Sequence, residues 1–273
     1  MHAAHPIGFL ALARSLRTHA DLLGQLVRRD VAGRYKGSML GLLWSFLNPV
    51  VMLVVYTVVF SVVFKARWPG GSESRTEFAL VLFTGLMVFN FFSECVNRAP
   101  SLVVGNVNYV KKVVFPLELL AVVSLGTAGF HFMVSLFVWL VFYVVFFGLP
   151  HAAFLQLPLV LVPLVLLTAG LSWLLAALAA YLRDVGQVVS VFTTVLLFLS
   201  PVFFPVSILP PAYQGLVRLS PLTYIVEQTR EVMVWGHALD WQAWAGHTAV
   251  CAAIAWLGFA WFQKTRRGFA DVL

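Results

Sequence analysis

Charge is scarce in this chain. Of 273 residues, 18 are Lys or Arg and 11 are Asp or Glu, so charged side chains make up only 11%. That is far below the share of an ordinary soluble domain and excludes the common cytosolic classes. Cysteine is nearly absent: Cys95 and Cys251 both fall in apolar segments, so no disulfide framework is implied. No H-E-x-x-H, Asp-rich metal pair or G-x-S-x-G occurs, so neither a metal ligand set nor a catalytic residue is expected. The phosphate-binding pattern G-x-x-x-x-G-K-[ST] is missing as well. The one Lys followed by Ser or Thr is Lys264, and Gln263 precedes it. The chain is expected not to hydrolyse ATP by itself. A signal peptide is not expected either, because the apolar stretch 7–13 ends at Arg14 with no small-residue cleavage site after it.

What is present is hydropathy. Residues of hydrophobic type make up 61% of the chain. They gather in six segments, at 42–64, 78–96, 117–147, 153–182, 188–209 and 241–262. Each is near or above the length that crosses a bilayer. The expected fold is all-α: a polytopic integral membrane protein forming one transmembrane domain over residues 1–273. An even number of spans puts both termini on one side. Lys and Arg choose that side. Arg14, Arg17, Arg28, Arg29, Arg34, Lys36, Arg98, Lys111, Lys112, Arg183, Lys264, Arg266 and Arg267 share the face with the termini, while Lys65, Arg67, Arg75, Arg218 and Arg230 take the other, a split of 13 to 5. Both termini are therefore expected in the cytoplasm. The net charge of +7 is spread between spans rather than clustered, which is not a nucleic-acid footprint.

Three stretches between the spans have structure of their own. Within 14–36, Leu22, Leu23, Leu26, Val27 and Val31 recur at helical spacing, with Arg28, Arg29 and Asp30 elsewhere on the wheel. This predicts a basic amphipathic helix at the membrane surface. Residues 97–115 form a polar break in which Pro100 starts a short helix and Pro116 ends it, with Lys111 and Lys112 exposed. Residues 198–236 carry prolines at 201, 205, 210 and 211, and then Ser220 as N-cap with Pro221 at the first helical position. Leu222, Ile225, Val226, Thr229 and Met233 form one stripe of that helix, while Glu227, Arg230 and Glu231 are read as the opposite, water-facing side. Gly236 ends it. The prediction is a re-entrant helical hairpin at 210–236, on the face away from the termini.

Individual polar residues divide between structural and functional readings. Glu94 and Glu118 flank the 97–115 break and read as interfacial groups rather than a proton relay. His131 reads first as a hydrogen-bonded packing histidine and second as a cavity-facing group. Asn48 is expected to serve backbone groups freed by Pro49. Asp184 is expected to cap the fifth span. Aromatics are abundant, with 24 Phe, 9 Trp and 7 Tyr. Trp44, Tyr56, Phe60, Phe192, Phe198 and Phe203 fall within or just past the spans, where ring faces suit a passage for sugars.

The run Arg34-Tyr35-Lys36-Gly37-Ser38-Met39-Leu40-Gly41-Leu42-Leu43-Trp44, with Pro49 beyond it, resembles the opening of the first span in ABC-2 type permeases that export polysaccharides. Tyr181-Leu182-Arg183-Asp184-Val185-Gly186-Gln187 is similar to that family's turn before the fifth span. Ser200-Pro201-Val202-Phe203-Phe204-Pro205, then Ser220-Pro221-Leu222 and Arg230, resembles its outward re-entrant region, with Ser220 where many members have Asn. The resemblance implies a homodimer in the bacterial inner membrane, in contact with membrane lipids and paired with two copies of a separate ATPase. That partner would bind ATP and Mg, leaving no cofactor for this chain. A lipid-linked polysaccharide, O-antigen, capsule or teichoic acid, would pass between subunits along the first and fifth spans. Arg28, Arg29, Arg34, Lys111 and Lys112 would then meet the ATPase, and Pro210, Pro221, Glu227, Arg230 and Glu231 would belong to a periplasmic gate. An ABC-2 exporter of a small lipid or drug is the nearer rival. A membrane-embedded enzyme of glycan or lipid assembly is the more distant one.

Overall fold

A computed structural model describes residues 8–59, 68, 75–111 and 115–273 as helices and turns, with no strand among them. Phe60, Lys65, Arg67 and Lys112 lie outside these residues. The chain opens with α1 (Phe9–Thr18) and α2 (Ala20–Tyr35). The single surface helix expected within 14–36 is thus two, divided at His19. Its φ of −110° leaves the helical region, and its ring lies 2.9 Å from the Ser15 carbonyl.

The apolar helix α3 (Leu43–Tyr56) passes through Pro49 unbroken and is prolonged by a wider turn to Val59. Then come α4 (Arg75–Arg98), the short α5 (Ser101–Val104) and α6 (Val107–Lys111), and α7 (Leu119–Phe147). A 3-10 turn leads into α8 (Leu157–Tyr181), followed by α9 (Val185–Leu199). The re-entrant pair is α10 (Pro211–Arg218) and α11 (Pro221–Arg230), with a π-helical turn from Glu231 to Trp235, before α12 (Trp241–Thr265). Gly236, at φ +72°, closes that turn. A side chain there would also strike His151.

Among the described residues four helices, α4, α7, α8 and α12, are long and apolar enough to cross a membrane, while α3 and α9 are shorter. The fifth apolar segment ends at Leu199 and not at 209. Pro201 supplies no N–H and pushes the residue before it out of the helical region, and Ser200 accordingly sits at φ −79°, ψ 151°. With 15 residues at 1.5 Å each, α9 is about 22 Å long, short of the roughly 30 Å hydrocarbon layer.

The centre of the bundle is α4. Ala79, Leu80, Val81, Leu82 and Val88 are wholly buried there, with α3, α7, α8, α9 and α11 packed around the helix. On the far side α8 and α12 close to backbone contact. A Cβ on Gly258 would lie 2.0 Å from the Gly170 carbonyl, and one on Gly170 would lie 2.7 Å from Ala255 Cα. Small residues at that crossing replace side-chain packing with direct van der Waals contact between the two backbones.

Candidate functional site: a polar crevice beside an arginine–carboxylate ladder

Three ion pairs tie α2 and the neighbouring turns to the ends of the long helices. Asp30 on α2 takes both guanidinium nitrogens of Arg98 from α4, and accepts 2.8 Å from the Thr127 hydroxyl of α7. Burial raises the Asp30 carboxyl, but bonds from Arg98 and Thr127 and the charge of Arg34 bring it below its usual value. Arg34 meets Glu94 at 2.7 Å. Glu94 also lies 3.0 Å from His131 Nδ1, and Tyr35 Oη lies 3.1 Å from Nε2. Both ring nitrogens of His131 are thus partnered, one by the Glu94 carboxylate and one by the tyrosine hydroxyl. His131 therefore satisfies both expectations: it is hydrogen-bonded, and it lines a cavity. The third pair joins Arg266 to Glu118 at 2.8 Å, with Ser15 donating to the other Glu118 oxygen at 3.0 Å.

From this ladder a crevice of about 430 Å³ opens between α3, α4 and α7. Its lining on α3 is Ser45, Asn48, Pro49, Met52 and Tyr56, a single helical stripe. On α4 it is Phe83, Leu86, Met87, Asn90, Phe91, Ser93, Glu94 and Asn97. Polar groups occupy the part near α2 and apolar ones the far part. Asn48, expected to serve the backbone beside Pro49, faces this space instead. Asn90, Ser93 and Asn97 were not singled out from sequence, although their spacing of three and four in an apolar span with Glu94 is a legible signal. Of the expected aromatics, Tyr56 lines the crevice. Trp44, Phe192 and Phe198 do not; they stand on exposed faces of α3 and α9. Phe203 stacks on Phe198 with centroids 5.7 Å apart.

Among the expected coupling residues, Arg28 and Arg29 are exposed on α2, and Arg29 donates 3.0 Å to Tyr109 of α6. Lys111, at the end of α6, is exposed beside it. Arg34 is drawn away from them into the crevice. Asp184 holds the N-cap position of α9, but its side chain caps nothing, and the same is true of Ser220 at α11. Asp240 does make a cap, accepting from the backbone of Gln242 and Ala243.

At the other end Arg230 overturns the expected water-facing side of α11. It is 1% exposed. Nε donates 3.0 Å to the Val81 carbonyl of α4, Nη1 donates 2.6 Å to Pro201 and Nη2 donates 2.7 Å to Val202. The guanidinium also lies 4.4 Å from the Trp68 ring centroid. Gly85 leaves room for it: a Cβ there would be 2.4 Å from Nη2. The other two carbonyls, of Pro201 and Val202, lie in the turn just past the end of α9, outside any helical ladder. Glu227 and Glu231 remain partly exposed. Burial pushes the Glu227 carboxyl up despite the nearby Arg230 and Arg218, while Glu231 pairs with His237.

Residues 21–234 match the family model of the ABC-2 type transporter. The chain is 28% identical over 264 residues to the O-antigen export system permease protein RfbA of Myxococcus xanthus, covering 96% of this chain and 99% of the relative. It is 25% identical over 254 residues to RfbA of Klebsiella pneumoniae, covering 93% and 95%. The polysialic acid transport protein KpsM of Escherichia coli is 25% identical over 215 residues, covering 78% and 81%. A family match over most of the chain, on an all-helical membrane bundle, establishes that this protein belongs to the ABC-2 type transporter family.

Proposed function

We propose that the chain is the membrane subunit of an ABC exporter that moves a lipid-linked polysaccharide, O-antigen-like, out across the bacterial inner membrane. The end-to-end likeness to two O-antigen permeases carries this reading. Six spans, α3, α4, α7, α8, α9 and α12, would place both termini in the cytoplasm, in keeping with the excess of Lys and Arg on that face. Two copies would enclose the passage, and two copies of a separate ATPase would bind ATP and Mg. The exposed Arg28, Arg29 and Lys111, held together through the Arg29–Tyr109 contact, suit the ATPase-facing surface. Arg34 belongs to the crevice network, and Lys112 remains part of the proposal on sequence alone. The pair α10–α11, with Pro210, Pro221, Glu227, Arg230 and Glu231, would close the passage at the periplasmic side. Exposed rings at Trp44, Phe192 and Phe198 suit its wall.

Deleting the gene should leave polysaccharide trapped inside the cell, and supplying it together with its ATPase should restore surface polysaccharide. The purified chain alone should show no ATP turnover. Normal surface polysaccharide in the deletion strain would end the reading.

A further inference from the structure

Glu118, just before α7, collects contacts from three directions. Its side chain belongs to a residue only 7% exposed. One carboxylate oxygen accepts 2.8 Å from Arg266 Nη1, and the other accepts 3.0 Å from the Ser15 hydroxyl of α1. Its backbone carbonyl accepts 3.0 Å from Trp173 Nε1 of α8. Arg266 begins the turn that follows α12. The α8–α12 pair, already closed to backbone contact at Gly170 and Gly258, therefore holds this one residue from both of its helices.

A carboxylate this buried needs a counter-charge, and Arg266 supplies it with one arm of its fork. The other arm, Nη2, donates 2.8 Å to the Phe115 carbonyl at the end of the 97–115 break. The Phe115 ring stacks on Tyr109 of α6, with centroids 4.5 Å apart and planes at 16°. Tyr109 Oη in turn meets Arg29 of α2. A last short helix, α13 (Phe269–Val272), packs against α6 and α8 with Phe269 wholly buried. Helix α6 has five residues and fully buries none of them. At that length a helix does not hold itself, so these neighbours set its direction.

We propose that Arg266 and Glu118 are positioning residues of the export cycle: they fix α6 to the α8–α12 pair, so that a push from the ATPase at α6 moves those two helices as a unit. This rests on the ATPase-facing reading of Arg28, Arg29 and Lys111 above, and adds two residues that touch neither ATPase nor substrate. A pin serving only the spans needs the ion pair alone. The second arm of Arg266 bonds the break itself, in line with the Phe115–Tyr109 stack, and so carries the node through to α6.

The test uses the transporter assembled with its ATPase in proteoliposomes, ATPase side outward. The probe is the lipid-linked polysaccharide extracted from the deletion strain. Glycan moved into the lumen and ATP hydrolysed are counted in the same sample, and the readout is their ratio. The double variant R266Q/E118Q removes the ion pair without leaving a lone buried charge. It should assemble and hydrolyse ATP, with the ratio down at least about fivefold, as for an ordinary coupling between sites. Tyr109→Phe keeps the stack and loses the bond to Arg29, and should lower the ratio about twofold. Asp240→Ala, which removes the cap at the opposite end of α12, should lower the melting temperature and leave the ratio unchanged. A wild-type ratio in both R266Q/E118Q and Tyr109→Phe would overturn the proposal and leave the permease reading standing. So would an equal fall in Asp240→Ala, because the ratio would then follow stability alone. If the double variant does not assemble, the ratio in Tyr109→Phe decides by itself. No translocation by the wild type would overturn the permease reading, and this proposal with it.

Discussion

Both ends of the bundle hold arginine against oxygen acceptors, and they do so with opposite chemistry. At the α2 end Arg34, Arg98 and Arg266 each face a carboxylate, and the pairs are partly hydrated, with side-chain exposures from 9% to 34%. At the hairpin end Arg230 is 1% exposed and, among the described residues, its hydrogen bonds go to carbonyls alone. A carboxylate pair is neutral, and its members can exchange partners or water one contact at a time. A lone guanidinium among carbonyls keeps its charge in a dry site. It is tolerated only while α4 and the break after α9 present their oxygens together to the guanidinium of α11. The α2 end can therefore loosen piecemeal, whereas the hairpin end is cooperative.

The largest test of this contrast is Arg230→Leu, which leaves the Pro201 and Val202 carbonyls without donors and removes a second donor from Val81. It should lower unfolding free energy by about 2–4 kcal/mol, read from thermal or denaturant unfolding in nanodiscs. Arg230→Lys should recover little, because one ammonium cannot span three acceptors and stack on Trp68. Full stability in the lysine variant would show that charge alone suffices.

Next is Gly85→Ala, whose methyl would meet Nη2. A loss of about 1–3 kcal/mol is expected. In the Arg230→Leu background the same change should be close to neutral, since the pair shares one contact. Additive losses would place the clash elsewhere.

At the α2 end Glu94→Gln should cost only about 1 kcal/mol, because Arg34 can turn to water. A loss as large as that of Arg230→Leu would erase the contrast. The smallest effect concerns Asp30. Its folded carboxyl titrates below its ordinary value of 3.8, so its stabilisation is present above that value and disappears as pH falls through the folded one. Wild type and Asp30→Asn should differ by less than about 1 kcal/mol at neutral pH and converge under acid. A gap that widens with acid would reverse the sign.

Much of this was legible in the sequence, and the failures have physical causes. The stripe Leu222, Ile225, Val226, Thr229 and Met233 is buried throughout, as its spacing demanded. Arg230 follows Val226 by four and Thr223 by seven, so helical geometry already put it on that face; its charge was read in place of its position. Gly85, which makes the space, lies 145 positions away in sequence, and no local pattern pairs the two. Hydropathy extends the fifth helix to 209 because Val202, Phe203 and Phe204 are apolar, and it does not distinguish helix from the turns that Pro201 and Pro205 impose. Asn90, Ser93 and Asn97 had the spacing of one helical face. That they line a crevice depends on α3 and α7 standing on either side of that face, which a single segment cannot display.

The crossing of Gly170 and Gly258 bears on mechanics. Helices held apart by side chains can slip by small rotamer changes; two backbones already touching have nothing left to compress. Advancing either helix by one residue would bring the Cβ of Ala169 or Leu171 into the place Gly170 occupies. The α8–α12 pair is thus registered like a keyed shaft, and it moves as a single plate. Among the apolar spans, α3 and α9 have no such key and are exposed over most of their length, which leaves them freer to shift than the α8–α12 plate.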